Sequence, residues 1–306
     1  MERIRFVVPF QTVFYTPHYL AQVLGLFARE GVEAEPAPAI APTGVSRALL
    51  AGEADIGLSG PIRALGALDR GEGRLTCVAE INSRAGFFLL ARAPAHDFAW
   101  RDLAGRRVLV FAEAPTPRLC LEYLLERHGI APSAVELVDD LPTEQAVAHF
   151  LAGRAEYLLQ GQPVTERLLA GGRAHLAAAL GPALGRLAFS AYLVTPRFLT
   201  ERADALEAAL RALYRAQLWL RRHPPESVAE QVAPAFPGEE PALLAAAIRR
   251  YLAGKTWATD PVLRRQGFDA LQEVLLLRGF VKRRHPYEAV VDTARAEAAV
   301  KAVGPG

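Results

Sequence analysis

The chain has few cysteines and no long hydrophobic run. Cys77 and Cys120 are the only cysteines among its 306 residues. Two cysteines are too few for the disulfide framework of a small secreted domain. No stretch reaches the roughly 18 consecutive apolar residues that a transmembrane helix requires. Apolar runs such as Gly86–Ala91 have the length of a strand instead. The sequence therefore predicts a packed globular protein with no membrane span.

Neither sign of charge predominates. The 35 lysines and arginines nearly balance 33 acidic residues, giving a net charge of +2 and no electrostatic basis for binding nucleic acid. The start, Met1-Glu2-Arg3-Ile4, lacks the basic and apolar regions of a signal peptide. We therefore expect a cytoplasmic protein if the sequence is complete as written. If a leader has been removed, we expect a periplasmic or lipid-anchored extracytoplasmic protein.

Short apolar runs alternate with helical patterns from the first residues onward. Ile4–Pro9 is predicted to be a buried strand. Thr16 and Pro17 follow as the N-cap and first residue of a helix that ends at Gly31. The alternation starts again at Arg107–Phe111, and such an order of strands and helices predicts mainly parallel sheets.

The repeat of this alternation predicts a two-lobed α/β architecture with a helical C-terminal tail. Lobe 1 is predicted to comprise residues 1–88 and 193–306, and lobe 2 residues 89–192. Proteins of this kind usually hold their ligand between the lobes, at the carboxyl ends of strands. The loops at those ends are therefore the candidate ligand-binding segments.

The loop after the first predicted strand offers the richest chemistry. Phe10 and Tyr15 could stack on a flat ligand, and Gln11 and Thr12 could orient it by hydrogen bonds. Tyr15 is the preferred aromatic contact. In the alternative interpretation, Phe10 and Phe14 only cover the end of the sheet.

Other loops supply small or polar residues that are also typical of ordinary turns and helix caps. Arg84 is suited to bind an anion or to form a salt bridge between the lobes. Tyr192, on a strand returning to the first lobe, is predicted to stack on the ligand. The remaining candidates are Thr43, Gly44, Ser59, Gly60, Asn82, Thr116, Gln160 and Gln162.

Signs of catalysis are weak. The sequence contains no metal-binding spacing of histidines or cysteines and no nucleophile or phosphate-loop motif. Cys120 lies in an apolar helical stretch and is expected to be a buried core residue. His18 and Glu113 are the only candidate proton-transfer groups, and no metal or cofactor is predicted.

Several segments together resemble one family of solute-binding proteins. The order and spacing of these segments are similar to those of the SsuA/ThiY-like group, which also contains the thiamine-pyrimidine synthases of fungi. The segments are Phe14–Ala21, Gly25–Glu35, Gly52–Gly57, Arg250-Tyr251, Trp257-Ala258, Asp260-Pro261, Gly279-Phe280 and Pro286-Tyr287.

The resemblance implies the type 2 periplasmic-binding fold and a small-molecule ligand delivered to an ABC permease. We expect the protein to be a monomer. Ligands of the group include alkanesulfonates, nitrate-like anions and pyrimidine precursors of thiamine. Gln162 stands where many relatives carry an acid, which favours a neutral or anionic ligand over a cationic one. The alternative is a cytoplasmic enzyme on the same fold, of the thiamine-pyrimidine or menaquinone-pathway type.

Overall fold

The computed structural model describes residues 1–37 and 44–305. Ten strands and fifteen helices are found within these residues. The strands are β1 (Glu2–Val7), β2 (Val32–Pro36), β3 (Ile56–Ser59), β4 (Thr76–Asn82), β5 (Phe88–Ala91), β6 (Arg107–Val110), β7 (Glu136–Val138), β8 (Tyr157–Gln160), β9 (His175–Ala179) and β10 (Ser190–Val194). The helices are α1 (Thr16–Val23), α2 (Leu26–Arg29), α3 (Val45–Leu50), α4 (Ile62–Arg70), α5 (Thr116–Arg127), α6 (Thr143–Leu151), α7 (Val164–Ala170), α8 (Leu180–Leu184), α9 (Pro196–Glu201), α10 (Ala203–Arg222), α11 (Pro225–Val232), α12 (Pro241–Ala253), α13 (Arg265–Leu277), α14 (Tyr287–Val290) and α15 (Ala294–Val303).

The strands form two five-stranded sheets, in the orders β2-β1-β3-β10-β4 and β7-β6-β8-β5-β9. In the first sheet, β10 runs antiparallel to both of its neighbours, and in the second sheet β5 does the same. The other strands of each sheet share one direction. The two-lobed α/β prediction is confirmed as a pair of mixed sheets in which one strand runs against the rest.

The two reversed strands are the ones that the chain enters from the other sheet. The chain passes from β4 to β5 through residues 83–87 and returns from β9 to β10 through residues 180–189. We call these two segments the connectors. The lobe limits predicted from sequence lie slightly beyond them, inside β5 and inside β10. The exact residue limits of the two lobes stay a prediction.

The first helical segment differs from its prediction. Gly25 adopts a left-handed conformation with φ of 64° and separates α1 from α2, where one continuous helix was expected. Thr16 is the first helical residue and donates a hydrogen bond to the carbonyl oxygen of Val13 at 2.7 Å, so its predicted role as N-cap was wrong. Thr12 is the N-cap of the preceding 3-10 turn, since its hydroxyl accepts a hydrogen bond from the amide of Phe14.

The C-terminal helices connect both sheets. The long helix α10 packs against α1, α2 and α15, on the side of the first sheet. Helix α12 packs against α7 and α13 packs against α5, so these two helices reach elements that precede or follow strands of the second sheet. One large core, which includes Phe6, Tyr192 and Leu159, runs through both halves of the molecule. Among the described residues, no helix has the length and apolar character needed to cross a bilayer.

Candidate ligand-binding site

A cavity of about 290 Å³ lies where loops of the two sheets meet. We call it the ligand cavity. Its wall is built by residues that follow β1, β3, β6 and β8, by the residues just before β10, and by the segment before α12. The parallel strands of both sheets therefore point their carboxyl ends at one space, as the alternation of strands and helices predicted.

Aromatic rings form a continuous part of this wall. The ring centroids of Phe10 and Phe111 lie 5.5 Å apart in an edge contact that joins the loop after β1 to the loop after β6. Phe87 lies 5.1 Å from Phe111 and 5.7 Å from Phe189. Edge and tilted contacts are the arrangements that aromatic pairs prefer. The rings give the cavity an apolar surface suited to a flat ligand.

Arg63, in the first turn of α4, brings a positive charge to the cavity wall. Its guanidinium is half-buried and forms no ion pair with any carboxylate of residues 1–37 or 44–305. Removal from water and the nearby charge of Arg70 lower its pKa from the ordinary arginine value. A partly desolvated cation without a partner is an attractive binding point for an anionic group.

Tyr15 is close to this arginine. Burial raises the pKa of the Tyr15 hydroxyl above its ordinary value, and the charge of Arg63 acts in the opposite direction. Tyr15 therefore carries an uncharged hydroxyl and an apolar ring at the cavity wall. These properties suit it to stack on a ligand and to form hydrogen bonds with it.

The second arginine of the wall is already paired. Arg167 forms an ion pair with Glu239, and Glu144 lies at 4.0 Å. Because these carboxylates neutralise it, Arg167 offers a ligand less than Arg63 does. Glu113 differs, since one of its carboxylate oxygens accepts a hydrogen bond from the amide of Thr143 at 3.0 Å and the other is buried with no partner among the described residues.

Nine of the residues predicted from sequence line this cavity. They are Phe10, Gln11, Thr12, Tyr15, Ser59, Gly60, Thr116, Gln160 and Gln162. Glu113, predicted as a proton-transfer group, also lines it. Gly60 is required by close packing, because a Cβ atom there would lie 2.9 Å from the carbonyl oxygen of Phe189.

Gln162 is occupied by contacts within the protein. Its side-chain oxygen accepts from the amide of Glu166, and its side-chain nitrogen donates to the Glu166 carboxylate at 3.2 Å. The main-chain carbonyl oxygen of Gln162 accepts a hydrogen bond from the Thr12 hydroxyl at 3.3 Å, which links the loops after β1 and β8. The amide of Gln162 therefore fixes the wall of the cavity, and its free hydrogen-bonding capacity is small.

The structure does not bring several other predicted residues to the ligand cavity. Tyr192 is fully buried in the first sheet, where its hydroxyl lies 2.8 Å from Nδ1 of His18. Asn82 is also fully buried, and its side-chain nitrogen donates to the carbonyl oxygen of Phe14 at 3.1 Å. Both residues lie in the core behind the cavity wall and do not line the cavity. Gly44 is absent from the wall, and Thr43 lies outside the described residues.

Two further predicted residues also lie elsewhere. His18 packs among Phe6, Phe27 and Tyr192 in the core, and burial lowers its pKa to about 3. It is therefore neutral at ordinary pH, and it does not line the ligand cavity. Arg84 lies in the first connector and faces a different cavity, which is described below.

The predicted role of Cys120 in the core is confirmed. Its side chain is fully buried, and burial raises the pKa of its thiol to about 12, which keeps it protonated. Among the described residues, no group of three or more histidine, cysteine, aspartate or glutamate side chains is placed to hold a metal ion.

Sequence reasoning missed several residues of the wall. Arg63 could have been found from its position two residues after the Ser59-Gly60-Pro61 turn, in the first turn of a helix that begins at the cavity. Phe111 also ends a predicted strand and was therefore within reach of the same argument. Phe236 and Glu239 come from the segment between α11 and α12. No local sequence pattern linked that segment to the site.

Comparison with known proteins identifies relatives along almost the whole chain. YtlA of Bacillus subtilis (strain 168), whose name describes it as a binding protein, is 25% identical over 292 residues, covering 94% of this chain and 86% of YtlA. The alkanesulfonate-binding protein SsuA of Xanthomonas axonopodis pv. citri, solved with bound MOPS, has a TM-score of 0.77 at 21% identity, covering 96% of this chain and 99% of SsuA.

An enzyme shares the same fold. The desulfurization enzyme DSZB, solved as a variant in complex with biphenyl-2-sulfinic acid, has a TM-score of 0.70 at 17% identity, covering 98% of this chain and 99% of DSZB. The family model described as NMT1/THI5 like matches residues 13–227, which include the end of the loop after β1, both connectors and the entire second sheet. The chain therefore belongs to the NMT1/THI5-like family.

Proposed function

We propose that the protein is a solute-binding protein of an ABC importer, and that it binds a small organic anion with an aromatic or similarly flat apolar body. Membership of the family, the binding-protein name of YtlA and the fold shared with SsuA support the general class. The ligand cavity supports the more specific statement. Its rings and its cation are the features that would select the ligand.

The unpaired guanidinium of Arg63 carries this proposal. A cation that is half-buried beside Tyr15 has lost part of its hydration and, among residues 1–37 and 44–305, has gained no carboxylate in return. A ligand carboxylate or sulfonate would restore that interaction and would form two parallel hydrogen bonds with the guanidinium. The aromatic wall would meanwhile cover the ligand body.

Glu113 sets a second requirement. Its buried free oxygen can accept a hydrogen bond from the ligand, so we expect the ligand to carry a hydroxyl, amide or amino hydrogen besides its anionic group. Both a substituted sulfonate and a pyrimidine precursor of thiamine carrying an acidic group fit this description. The neutral or anionic character inferred from Gln162 agrees with Arg63 as the anchoring charge.

The importer assignment also implies a place of action and a partner. We propose that the protein works outside the cytoplasm as a monomer and that it delivers its ligand to an ABC permease. Binding would involve closure of the two lobes around the ligand, with the bending confined to the connectors.

Native mass spectrometry of the purified protein, followed by calorimetry with the molecule identified, tests the proposal. We expect a co-purified organic anion. The variant Arg63→Gln should bind it about tenfold more weakly or worse, as is typical of a lost charge-assisted hydrogen bond. The matched control Arg47→Gln removes an exposed arginine of α3 and should bind normally. Equal affinity of wild type and Arg63→Gln would contradict the proposal.

A second candidate function is an enzyme on the same fold. The similarity to DSZB and the free oxygen of Glu113 favour it, because an unpaired carboxylate beside a ligand can act as a general base. The identified ligand would then be converted on incubation, and Glu113→Gln would abolish conversion while the protein remained folded. Stoichiometric binding with the ligand recovered unchanged would exclude this function.

A further inference from the structure

A second cavity, of about 600 Å³, lies beside the connectors. We call it the connector cavity. Ser83 and Arg84 of the first connector, Arg186 of the second connector and the residues after α12 form its wall. Tyr251 lines both this cavity and the ligand cavity. The connector cavity therefore occupies the place where the two sheets and the C-terminal helices are joined.

Positive charge dominates the wall of the connector cavity. Arg84, Arg186, Arg221 and Lys255 line it, and no aspartate or glutamate among residues 1–37 and 44–305 does. Within the part of the chain that the structure describes, Arg84, Arg221 and Lys255 form no ion pair, whereas most arginines of this protein are paired with carboxylates. Four cations around one space produce a positive potential that attracts an anion.

Two buried polar atoms at this cavity also have no partner. Arg186 donates a hydrogen bond to the buried carboxyl group of Glu80 at 2.8 Å, but its Nε atom donates to nothing in the described residues. The Gln217 side chain is 1% exposed, and its oxygen likewise accepts no hydrogen bond. Its nitrogen donates to the carbonyl oxygen of Glu80 at 3.0 Å. That bond fixes the orientation of the amide, because a flipped amide would set two acceptors against each other.

The backbone at Lys255 is a third, independent observation. Helix α12 ends in a Schellman motif, in which the amide of Thr256 donates to Tyr251 and the amide of Lys255 donates to Leu252, both at 3.0 Å. Lys255 occupies the left-handed position of this motif with φ of 50°, where glycine is usual. A lysine held there against its conformational preference indicates that its side chain is needed at that point.

We propose that the connector cavity is a binding site for hydrogen phosphate. The cations supply charge and several donors, and guanidinium groups match the geometry of phosphate oxygens. The free oxygen of Gln217 needs a donor, which the remaining P–OH group of hydrogen phosphate supplies. Sulfate has the same shape and charge but carries no hydrogen near neutral pH, so the site should prefer phosphate to sulfate.

Bound phosphate would link three parts of the chain. Arg84 belongs to the first connector, Arg186 to the second, and Lys255 to the segment after α12. An anion held by all three would stabilise the relative positions of the two sheets, and binding to the folded state alone raises the melting temperature. This site does not depend on the proposed importer function, since its ligand and its residues are different.

Calorimetric titration of the full-length protein with inorganic phosphate tests the proposal, with sulfate at equal ionic strength as the comparison. We expect phosphate to bind and sulfate to bind more weakly. Arg84→Gln should weaken phosphate binding by about tenfold or more. Lys255→Gly should do the same while the free protein stays as stable as wild type or becomes more stable, because glycine relieves the left-handed backbone.

Two variants serve as matched controls. Lys301→Gln removes an exposed lysine of α15, and Arg63→Gln alters the ligand cavity only, so both should bind phosphate normally. No phosphate binding by the wild type, equal affinity for phosphate and sulfate, or equal weakening by Lys301→Gln would each overturn the proposal. A loss of phosphate binding in Arg63→Gln would assign the bound anion to the ligand cavity and would overturn it as well.

Discussion

Nδ1 of His18 lies 2.8 Å from the hydroxyl oxygen of Tyr192, and neither side chain is exposed to solvent. The pair joins α1, which begins beside the ligand cavity, to β10, the reversed strand of the first sheet. In Tyr192→Phe, Nδ1 of His18 would remain buried without a partner. We expect the free energy of unfolding to fall by about 1–3 kcal/mol, measured by urea denaturation.

The same variant distinguishes the two roles considered for Tyr192. Because the tyrosine is absent from the wall of the ligand cavity, Tyr192→Phe should leave ligand affinity unchanged in calorimetry. If Tyr192→Phe instead bound the ligand more weakly and kept the wild-type free energy of unfolding, the stacking role predicted from sequence would be restored. Tyr15→Ala is the informative counterpart, and it should weaken binding by roughly 1 kcal/mol or more if the ligand stacks on that ring.

His18 also predicts how stability changes in acid. Burial lowers its pKa from 6.5 to about 3, so the unfolded chain binds a proton at this residue more readily than the folded protein does. The contribution of His18 to stability is therefore complete above pH 6.5 and is lost as the pH falls from 6.5 towards 3. The variant His18→Gln should show a smaller loss over this range, measured as unfolding free energy against pH. Parallel curves for variant and wild type would disprove the assignment.

Glu80 has the opposite dependence. Its carboxyl is fully buried, and burial raises its pKa from 4.5 to about 8 although Arg186 and Arg264 oppose the shift. The folded protein thus holds this proton more tightly than the unfolded chain, and the stabilising contribution declines as the pH rises from 4.5 to 8.

The variant Glu80→Gln keeps the shape of the side chain and removes the titration. We expect the stability of the wild type, relative to Glu80→Gln, to decrease between pH 5 and pH 8 by an amount on the order of a few kcal/mol at most. Glu53→Gln, which alters an exposed residue, is the control and should follow the wild type. A stability difference between wild type and Glu80→Gln that does not change with pH would contradict the raised pKa.

The general place of the site could be predicted from sequence because it depends on local order alone. A buried run followed by a helix start defines a strand end, and parallel strands bring such ends together. Ser59 and Gln160 follow this rule at the ends of β3 and β8, as Thr116 does at the start of α5. The aromatic residues in the loop after β1 also indicated ligand binding, and two of them, Phe10 and Tyr15, line the cavity.

The predicted residues that lie away from the ligand cavity depend on long-range geometry. Asn82 and Tyr192 lie inside strands, where successive side chains face opposite sides of the sheet, and the register that decides the side is set by partner strands. The carbonyl oxygen of Phe14 accepts from both Asn82 and Trp257, across 68 and 243 residues of sequence. Strand β9 has no clear strand pattern in the sequence, because His-Leu-Ala-Ala-Ala contains none of the β-branched residues that mark a strand.

Gly86 and Gly161 provide a final test of how tightly the cavity is supported. A Cβ atom at Gly86 would overlap the ring of Phe14 and would lie 3.1 Å from Cε1 of Tyr251, whereas the nearest atom to a Cβ at Gly161 is Cε1 of Phe87 at 3.6 Å. Overpacking of this kind lowers stability by about 1–3 kcal/mol, so Gly86→Ala should unfold at lower urea and bind ligand more weakly as Phe14 shifts. Gly161→Ala, which also lies near Tyr251, should retain wild-type stability. Equal stability of the two variants would mean that Phe14 moves freely, and the aromatic wall would then be adaptable rather than rigid.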